Sequence, residues 1–421
     1  MHRILALAGG VSGRLCVCAP AIGQRLLRAE SRNNLTIPQL RYRYPWRTGN
    51  RIELLVDGEN FFPAMLTAID RAQRFVLLEF YLFESGKVAE RFIAALCDAS
   101  RRGVYVCLLL DDYGAQKLLP RDRQQLLAAG ALLHFYNPLH YDGNLRRNLF
   151  RDHRKLLIAD GRLAFTGGTG ITDEFETAMQ PMGWHDVMLR IQGPVVADWQ
   201  DLFLRTWRRL AKKTAVFPRL SGQPERDGQL ARLVLNAPTR MEVKRSLLKQ
   251  LRQAEQRVWI ATAYFIPSWK IRRRLRRAAR RGIDVRLLLP GPHTDHPAVR
   301  HAGRRFYASL LRNGVRIFEY QPRFLHAKIQ LCDDWVSIGS SNIDRWNLRW
   351  SLEANQEVRD HQLASQVAEL FEHDFAQSHE MNYSQWRKRP WYLRLPEMFW
   401  GRVDRWLERL SQRKILKRKN R

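Results

Sequence analysis

The chain has 421 residues, 45% hydrophobic and 27% charged, with 71 Lys+Arg against 41 Asp+Glu for a formal net charge of +30. At roughly 150 residues per domain that length implies two or three compact units, and the near-average composition excludes wholesale disorder, collagen-like repetition and a multi-span membrane protein. So basic a balance implies a polyanionic partner, either nucleic acid or an anionic lipid surface.

Residues 1–45 read as a basic N-terminal extension. Its opening, MHRILALAGGVSGRLCVCAPAIG, has the outline of a secretory signal, but Arg14 interrupts the apolar run. No unbroken stretch approaches the roughly 20 residues that a bilayer span requires, so an uncleaved extension, disordered or lying on a surface, is expected. Cys16, Cys18, Cys97, Cys107 and Cys332 are odd in number and form no CxxC pair. They imply neither a disulfide framework nor a zinc knuckle, and their scatter fits a reducing, cytoplasm-facing compartment.

From residue 46 the chain repeats itself, in segments bounded at 46–225 and 226–380. AQRFVLLEFYLF (72–83) and AEQRVWIATAYFI (254–266) each pass from a polar helix end into a buried strand with a late tyrosine, Tyr81 or Tyr264. Helices then end at Arg101-Arg102-Gly103 and Arg280-Arg281-Gly282, with glycine at the C-cap. They lead into VYVCLLLD and IDVRLLLP, near-continuous apolar runs of the kind buried on both faces of a sheet. LLAAGALLHFYNP, ending at Pro138, matches LLRNGVRIFEYQP, ending at Pro322. Strand, helix, strand, helix, strand in each half predicts α/β layers. Beyond the prolines the halves diverge: the first alone carries LHYDGNLRRNLFRD, with Arg146, Arg147 and Arg151. A loop that lengthens one half of a duplicated fold either shapes a site or is a tolerated surface insertion.

The chemistry is carried by two strings, His153-Arg-Lys155-Leu-Leu-Ile-Ala-Asp160 and His326-Ala-Lys328-Ile-Gln-Leu-Cys-Asp333, both H-x-K-x4-D. With Lys and Asp each near 5% of an average sequence, chance supplies about 0.03 such matches. Each string runs into apolar residues, which predicts strands. Residues i and i+2 of a strand share a face roughly 6.6 Å apart, so imidazole and ammonium point at one object. A neutral histidine beside a fixed cation suits attack on an anionic phosphate. The Asp emerges near the far end of the strand and reads as a structural or electrostatic partner. Small-residue turns follow, Gly167-Gly168-Thr169-Gly170 and Gly339-Ser340-Ser341-Asn342, with Gly168, Ser340 and Asn342 as candidate phosphate contacts. Asp186 and Glu353 lie in apolar strand-like segments, where a buried acid needs a partner. The imidazoles supply one, because a carboxylate on one ring nitrogen frees the other to attack.

Paired motifs of this form with G-[GS]-x-N turns resemble the phospholipase D superfamily over about residues 48–375. Within it, NRIELLVDGENFFPAMLTAIDRAQ, LLEFYLF, LLLDDYG and GSSNIDRWNLRWSLEAN resemble bacterial cardiolipin synthases. The resemblance implies an α/β fold of two duplicated α/β/α sandwich domains related by a pseudo-twofold axis, with one active site at their interface. It implies phosphodiester exchange without metal or other cofactor. Its catalytic set would be His153, Lys155, Asp160, His326, Lys328 and Asp333, with Asp186 and Glu353 behind the histidines. By analogy His153 is the nucleophile and His326 the acid/base. The implied reaction joins two phosphatidylglycerol molecules into cardiolipin and glycerol; hydrolysis by a phospholipase D, or a nuclease on the same scaffold, are the alternatives. Two departures stand out. Gly170 replaces the usual asparagine, and the turn after Asp333 is one residue short.

Three weaker signals remain. His293, Asp295 and His296 lie in a Pro/Gly-rich loop without a further ligand at metal spacing, and read as lining the cleft. Residues 269–281, WKIRRRLRRAARR, form a basic helix face, solvated or anion-binding. Residues 381–421 carry 13 Lys/Arg against 3 acids. Phe399, Val403, Trp406, Leu407 and Leu410 follow helical spacing on one side, with Arg402, Arg405 and Arg409 elsewhere, as in a helix lying in a membrane surface. Packing against the protein's own body is the plainer reading. The expected partner is therefore an anionic phospholipid surface rather than nucleic acid. The expected location is the cytoplasmic face of the inner membrane, held peripherally.

Overall fold

The computed structural model describes residues 43–141, 145–176, 183–211, 224–237, 240–345, 350–395 and 397–402. The extension before Arg43, and Val403, Arg405, Trp406, Leu407, Arg409 and Leu410 of the tail, lie outside the described residues, as does the Arg146 side chain.

In chain order the first half carries β1 (Arg47–Val56), α1 (Gly58–Asp70), β2 (Phe75–Phe80), α2 (Lys87–Arg101), β3 (Tyr105–Asp111) and α3 (Pro120–Ala128). It continues with β4 (Leu132–Tyr136), β5 (Arg151–Asp152), β6 (Lys155–Ala159), β7 (Leu163–Gly167), β8 (Val187–Gln192) and α4 (Val196–Leu210). The second half opens with β9 (Gln229–Ala237), β10 (Arg240–Met241), α5 (Glu242–Gln253), β11 (Arg257–Ala261), β12 (Phe265–Ile266) and α6 (Trp269–Arg280). Then come β13 (Asp284–Pro290), α7 (Pro297–Arg304), α8 (Tyr307–Leu311), β14 (Arg316–Tyr320), β15 (Ile329–Cys332) and β16 (Trp335–Gly339). The half closes with β17 (Ile343–Asp344), β18 (Ser351–Arg359), α9 (His361–Ala376), β19 (Ser378–Glu380) and α10 (Tyr383–Lys388).

The sheets are copies of one plan. In the first, parallel β4, β3 and β2 meet antiparallel β6, β7, β8 and β1 in that order. In the second, parallel β14, β13 and β11 meet antiparallel β15, β16, β18 and β9. The start of β1 also pairs with β9, so the sheets share an edge. β3 is buried in six of its seven positions, as its unbroken apolar run requires of a strand covered on both faces. The glycines that end α2 and α6 adopt φ of 88° and 86°. Only this left-handed conformation demands glycine there, since a Cβ at either would meet nothing within 4 Å.

One apolar cluster joins the facing sides of both sheets. It draws Trp199, Phe203 and Trp207 from α4 and Leu363, Val367, Phe371 and Phe375 from α9. Separate clusters hold α1 and α2 on the outer face of the first sheet, and α5 and α6 on that of the second. A shared core of this size fixes the two halves against each other, which a site built from both requires.

Candidate active site

Neither motif histidine lies within a strand. His153 falls between β5 and β6, and Lys155 opens β6; His326 and Lys328 precede β15. The expectation that each motif begins inside a strand is thus corrected, and the reason is that the backbone groups ahead of the histidines are used across the halves. β5 pairs in parallel with the start of β18, Leu352 opposite Asp152, and the His153 N–H donates to the Leu352 carbonyl at 3.0 Å. Leu325 bridges His185, whose carbonyl accepts from the N–H of His326 at 2.8 Å and of Ala327 at 3.0 Å. Each histidine is thereby laid beside the residue preceding the other half's acid.

The carboxylates consequently cross over. His153 Nδ1 lies 3.0 and 3.1 Å from the two oxygens of Glu353, and His326 Nδ1 lies 2.5 Å from Asp186 Oδ2. Both acids are fully buried, which fixes Nδ1–H as the donor and leaves Nε2 with its lone pair. Tyr81 packs 4.8 Å from the His153 ring, while Trp184, Phe175 and Phe324 surround His326 at 5.1, 5.3 and 5.7 Å. Lys155 Nζ donates to the His153 carbonyl at 2.6 Å; Lys328 Nζ donates to the His326 carbonyl and sits 2.9 Å from its Nδ1.

These cations share one small volume, and their proton affinities reflect it. Burial, then Lys328 as the nearby like charge, lowers Lys155 to about 7, and burial lowers Lys328 to about 8. Burial and Lys328 push His326 down to about 4; burial, with Lys155 and Lys328, lowers His153 as well. Burial alone would raise Asp186, but Lys328 and His326 hold it below the ordinary carboxylate value. Two neutral imidazoles beside two ammoniums short of negative charge form a site poised for a phosphate.

The motif aspartates do something different. Asp160 accepts from the N–H groups of Gln73, Arg74 and Phe75 at 2.8–3.0 Å, and Asp333 from those of Glu255, Gln256 and Arg257 at 2.9–3.0 Å. Each turns at positive φ, 54° and 51°, and ties its hairpin to the start of β2 or β11. Five residues of strand put them roughly 16 Å from the lysines. They stand apart from the histidine cluster, so their place in the catalytic set is corrected to that of backbone clamps.

The small-residue turns also differ from expectation. Ser340 Oγ donates to Glu353 and accepts from the Ala354 N–H at 3.1 Å, so it braces the acid behind His153. A Cβ on Gly168 would fall 2.3 Å from Asp186 Oδ1, so glycine is required there to admit that carboxylate. Asn342 accepts from Thr262 Oγ1 and the Tyr264 N–H through Oδ1, at 3.2 and 3.3 Å, and its buried Nδ2 carries no protein partner. Of the three, Asn342 alone offers an uncommitted donor.

Against this geometry stand the relatives. The model of the family described as cardiolipin synthase, PLD-like domain, matches residues 65–207 and 247–375. Cardiolipin synthase B of Escherichia coli K12 is 37% identical over 330 residues, covering 75% of this chain and 78% of that one. Cardiolipin synthase A of Pseudomonas fluorescens is 34% identical over 343 residues, covering 80% and 71%. The chain belongs to the cardiolipin synthase family. Its members here are phosphatidyltransferases of the phospholipase D superfamily. The fold is that of the phosphatidylserine synthase crystal structure from Haemophilus influenzae, at TM-score 0.65 and 15% identity over 87% of this chain and 94% of that one.

Within the family plan the halves have drifted. The register set by Asp160 and Asp333 matches Phe75 to Arg257, so Tyr81 falls opposite Ala263, and Tyr264 opposite Leu82. The two tyrosines are therefore not counterparts. Tyr264 instead donates to Asp295 and lies 5.6 Å from His296. Gly170 is explained by the same neighbour: a Cβ there would meet Leu82 Cβ at 2.8 Å. The short turn after Asp333 is absorbed locally, since Cys332 pairs with Trp335 where Ala159 pairs with Leu163. Arg154, between His153 and Lys155, points away from them to a buried pair with Glu79 at 2.8 Å; Ala327 and Ala261 take those places in the second half.

Sequence reasoning missed His185. It is buried, with Nδ1 2.8 Å from Asp57 Oδ1 and Nε2 3.1 Å from Asp374 Oδ2, and Arg323 also binds Asp57. Burial opposes its charge, but Asp374 and Asp57 raise it to about 9, so it is an imidazolium clamped between the halves. Asp57 in turn accepts from the Asp186 N–H at 3.2 Å. Its counterpart in the second half is Leu352, so the repeat gave no hint; the signal was a histidine beside a buried acid.

Proposed function

We propose that the chain transfers a phosphatidyl group from one phosphatidylglycerol to the hydroxyl of another, giving cardiolipin and glycerol through a phosphohistidine at His153. The crossed pairing of His153 with Glu353 and of His326 with Asp186 carries this reading. It supplies two imidazoles in the same tautomer, each with Nε2 open, beside two ammoniums. In the first step His153 Nε2 attacks phosphorus. The bond to the glycerol oxygen breaks, that oxygen takes the proton that His326 Nε2 gains from solvent when the anionic phosphodiester enters, and glycerol leaves. In the second step His326 Nε2 withdraws the proton from a hydroxyl of the second phosphatidylglycerol. That oxygen attacks phosphorus, the phosphorus–nitrogen bond breaks, and cardiolipin leaves with His153 neutral and the proton on His326 Nε2, from which it returns to solvent. Lys155 and Lys328 hold the phosphoryl oxygens throughout, and their charge is reinforced when the phosphodiester enters. Asn342 adds one donor.

The greater access of His153, whose side chain is 15% exposed against 9% for His326, favours it as the nucleophile. Replacing His326 by alanine removes the proton donor and acceptor but leaves the attacking group. Incubation of that variant with phosphatidylglycerol should accumulate a phosphatidyl adduct on His153 by mass spectrometry. An adduct on His326 in a His153→Ala protein would reverse the assignment.

A peripheral place on the cytoplasmic face of the inner membrane fits the same reading. Among the described residues no helix is long and apolar enough to cross a membrane. The base of the tail is fastened to the body by Trp386, buried among second-half core residues, and by the Gly401 carbonyl, which accepts from Arg305. Trp391, Tyr392, Leu395, Met398 and Phe399 meanwhile face outward, 47–72% exposed. Aromatic and apolar groups displayed beside cations suit the headgroup zone of an anionic bilayer.

A further inference from the structure

β11 ends at Ala261 opposite Ile329, the residue after Lys328, and β13 runs parallel to β11. The loop 291–296 therefore leaves β13 at the end of the sheet where the motif residues lie, and it carries Asp295. The Asp295 carboxylate accepts from the Tyr264 hydroxyl; His296 Nε2 stands 3.7 Å away, beyond hydrogen-bond reach. The Tyr264 N–H donates to Asn342 Oδ1 at 3.3 Å, two residues from Ser340, whose hydroxyl braces Glu353 behind His153. In the first half, Phe175 of the turn Asp173–Phe175 packs 5.3 Å from the His326 ring. The carbonyl of Glu174 in that turn accepts from the N–H of Trp184 at 2.7 Å, and the Trp184 ring lies 5.1 Å from His326. The charges of these segments meet at the reaction centre. Burial lowers Lys328, while Asp186, Glu353 and then Asp295 draw it back up. Burial, Glu84 and then Asp295 raise the Glu174 carboxyl, against the pull of Lys117.

A carboxylate beside a site for an anionic phosphodiester opposes the phosphate, so the rest of the substrate has to reward it. An ionised carboxylate is acceptor-only, with about four lone-pair sites, and Tyr264 fills one. The Asp295 side chain is 22% exposed, which leaves its oxygens within reach of a ligand that brings donors. In the proposed reaction, the glycerol that leaves and the glycerol that attacks each place one oxygen at His326 Nε2. Each also carries a hydroxyl on the adjacent carbon. An ethanolamine ammonium would suit a carboxylate too, but it would be a third cation beside Lys155 and Lys328. We propose that Asp295, held by Tyr264, accepts the neighbouring hydroxyl of the glycerol that faces His326. It thereby selects glycerol over other headgroups as leaving group, and over water as acceptor. The inference rests on the phosphatidylglycerol reading above and adds to it the residue that recognises the glycerol.

The test compares phosphatidylglycerol with phosphatidylpropanol, which keeps the phosphodiester and the three carbons but has no free hydroxyl. Release of glycerol or propanol is followed in detergent micelles with the full chain. A hydrogen bond to a carboxylate makes the wild type favour phosphatidylglycerol by at least about tenfold in kcat/KM, and Asp295→Ala should bring that ratio close to one. Asp295→Asn keeps an acceptor oxygen and should retain part of the preference; Tyr264→Phe, which only loosens the carboxylate, should lose part of it. In Asp295→Ala the yield of phosphatidic acid relative to cardiolipin should also rise, because water gains nothing from Asp295. A selectivity ratio does not depend on the fraction of protein that is folded, so a merely structural role would not move it. An unchanged preference in Asp295→Ala overturns the proposal. Headgroup release does not depend on the acceptor, so a chain that makes only phosphatidic acid would refute transfer and still test the selection of glycerol. If the wild type turned over neither lipid, the functional reading would fail, and binding decides the proposal. Short-chain phosphatidylglycerol should bind the His153→Ala protein at least about tenfold more tightly than short-chain phosphatidylpropanol by calorimetry, and adding Asp295→Ala should abolish the difference. Equal affinities in the His153→Ala protein, or tighter binding of short-chain phosphatidylethanolamine, would overturn it.

Discussion

Replacing His185 by glutamine keeps the side chain's approximate shape and removes its charge from between Asp57 and Asp374. The imidazole is raised to about 9 from the ordinary 6.5. At 1.36 kcal/mol per unit, its charged contacts contribute about 3 kcal/mol to folding. The sign follows from the direction of the shift: a base whose proton is bound more tightly when folded stabilises the fold below its unfolded value. That contribution is complete below pH 6.5 and is lost as pH rises through about 9. Urea unfolding from about pH 6 to about pH 10 should therefore show the variant about 3 kcal/mol weaker than the wild type at the acid end. The two should converge at the alkaline end. A gap that stays constant with pH, or widens on going alkaline, would refute the imidazolium clamp.

The motif aspartates give a second test. Asp160→Ala forfeits three hydrogen bonds to a carboxylate, partly in solvent, and should cost about 3 kcal/mol of stability by denaturant titration while turnover per folded molecule is retained. The loss of turnover expected on replacing Lys155 or His153 should not appear. A third concerns pH. The kcat/KM for phosphatidylglycerol in detergent micelles should decline on the alkaline side near 7–8, where Lys155 and Lys328 lose their protons in the free protein. The alkaline limb of kcat should lie higher, because a bound phosphodiester restores the lysines' protons. An alkaline limb of kcat/KM at the ordinary lysine value of 10.5 would contradict the crowding of the cations. Fourth, deleting residues 403–421 removes 8 Lys/Arg and 2 acids. Vesicle binding should weaken, most at low salt, whereas cutting at 381 should also lower the melting temperature, since Trp386 is 6% exposed and belongs to the second-half core.

The fold was legible because its information is local and repeated. Apolar runs such as VYVCLLLD, the glycine after each RRG and the doubled H-x-K-x4-D spacing each report the conformation of a few neighbouring residues. Two copies in one order then imply two similar sheets. The site was less legible because its decisive contacts are not local. Glu353 and His153 are 200 positions apart and Asp186 and His326 are 140 apart, so no spacing rule could say which acid serves which ring. Only the pairing of β5 with β18, and of Leu325 with His185, makes the crossing visible. The tyrosines misled for the opposite reason. Similar letters suggested one alignment, whereas the backbone bonds of Asp160 and Asp333 fix another, one residue displaced. Ser340 looked like a phosphate contact because small polar turns often are, yet the acid beneath it claims its hydroxyl.

The most direct measurement is incubation of the purified chain with phosphatidylglycerol vesicles, without added metal, followed by lipid mass spectrometry, with plasmid and single-stranded DNA as parallel substrates. Cardiolipin and free glycerol in equal amounts, lost together in His153→Ala and His326→Ala proteins, is the predicted result. Phosphatidic acid in place of cardiolipin would show that water is the acceptor and that the chain is a hydrolase. Intact lipid with degraded DNA would contradict the account altogether.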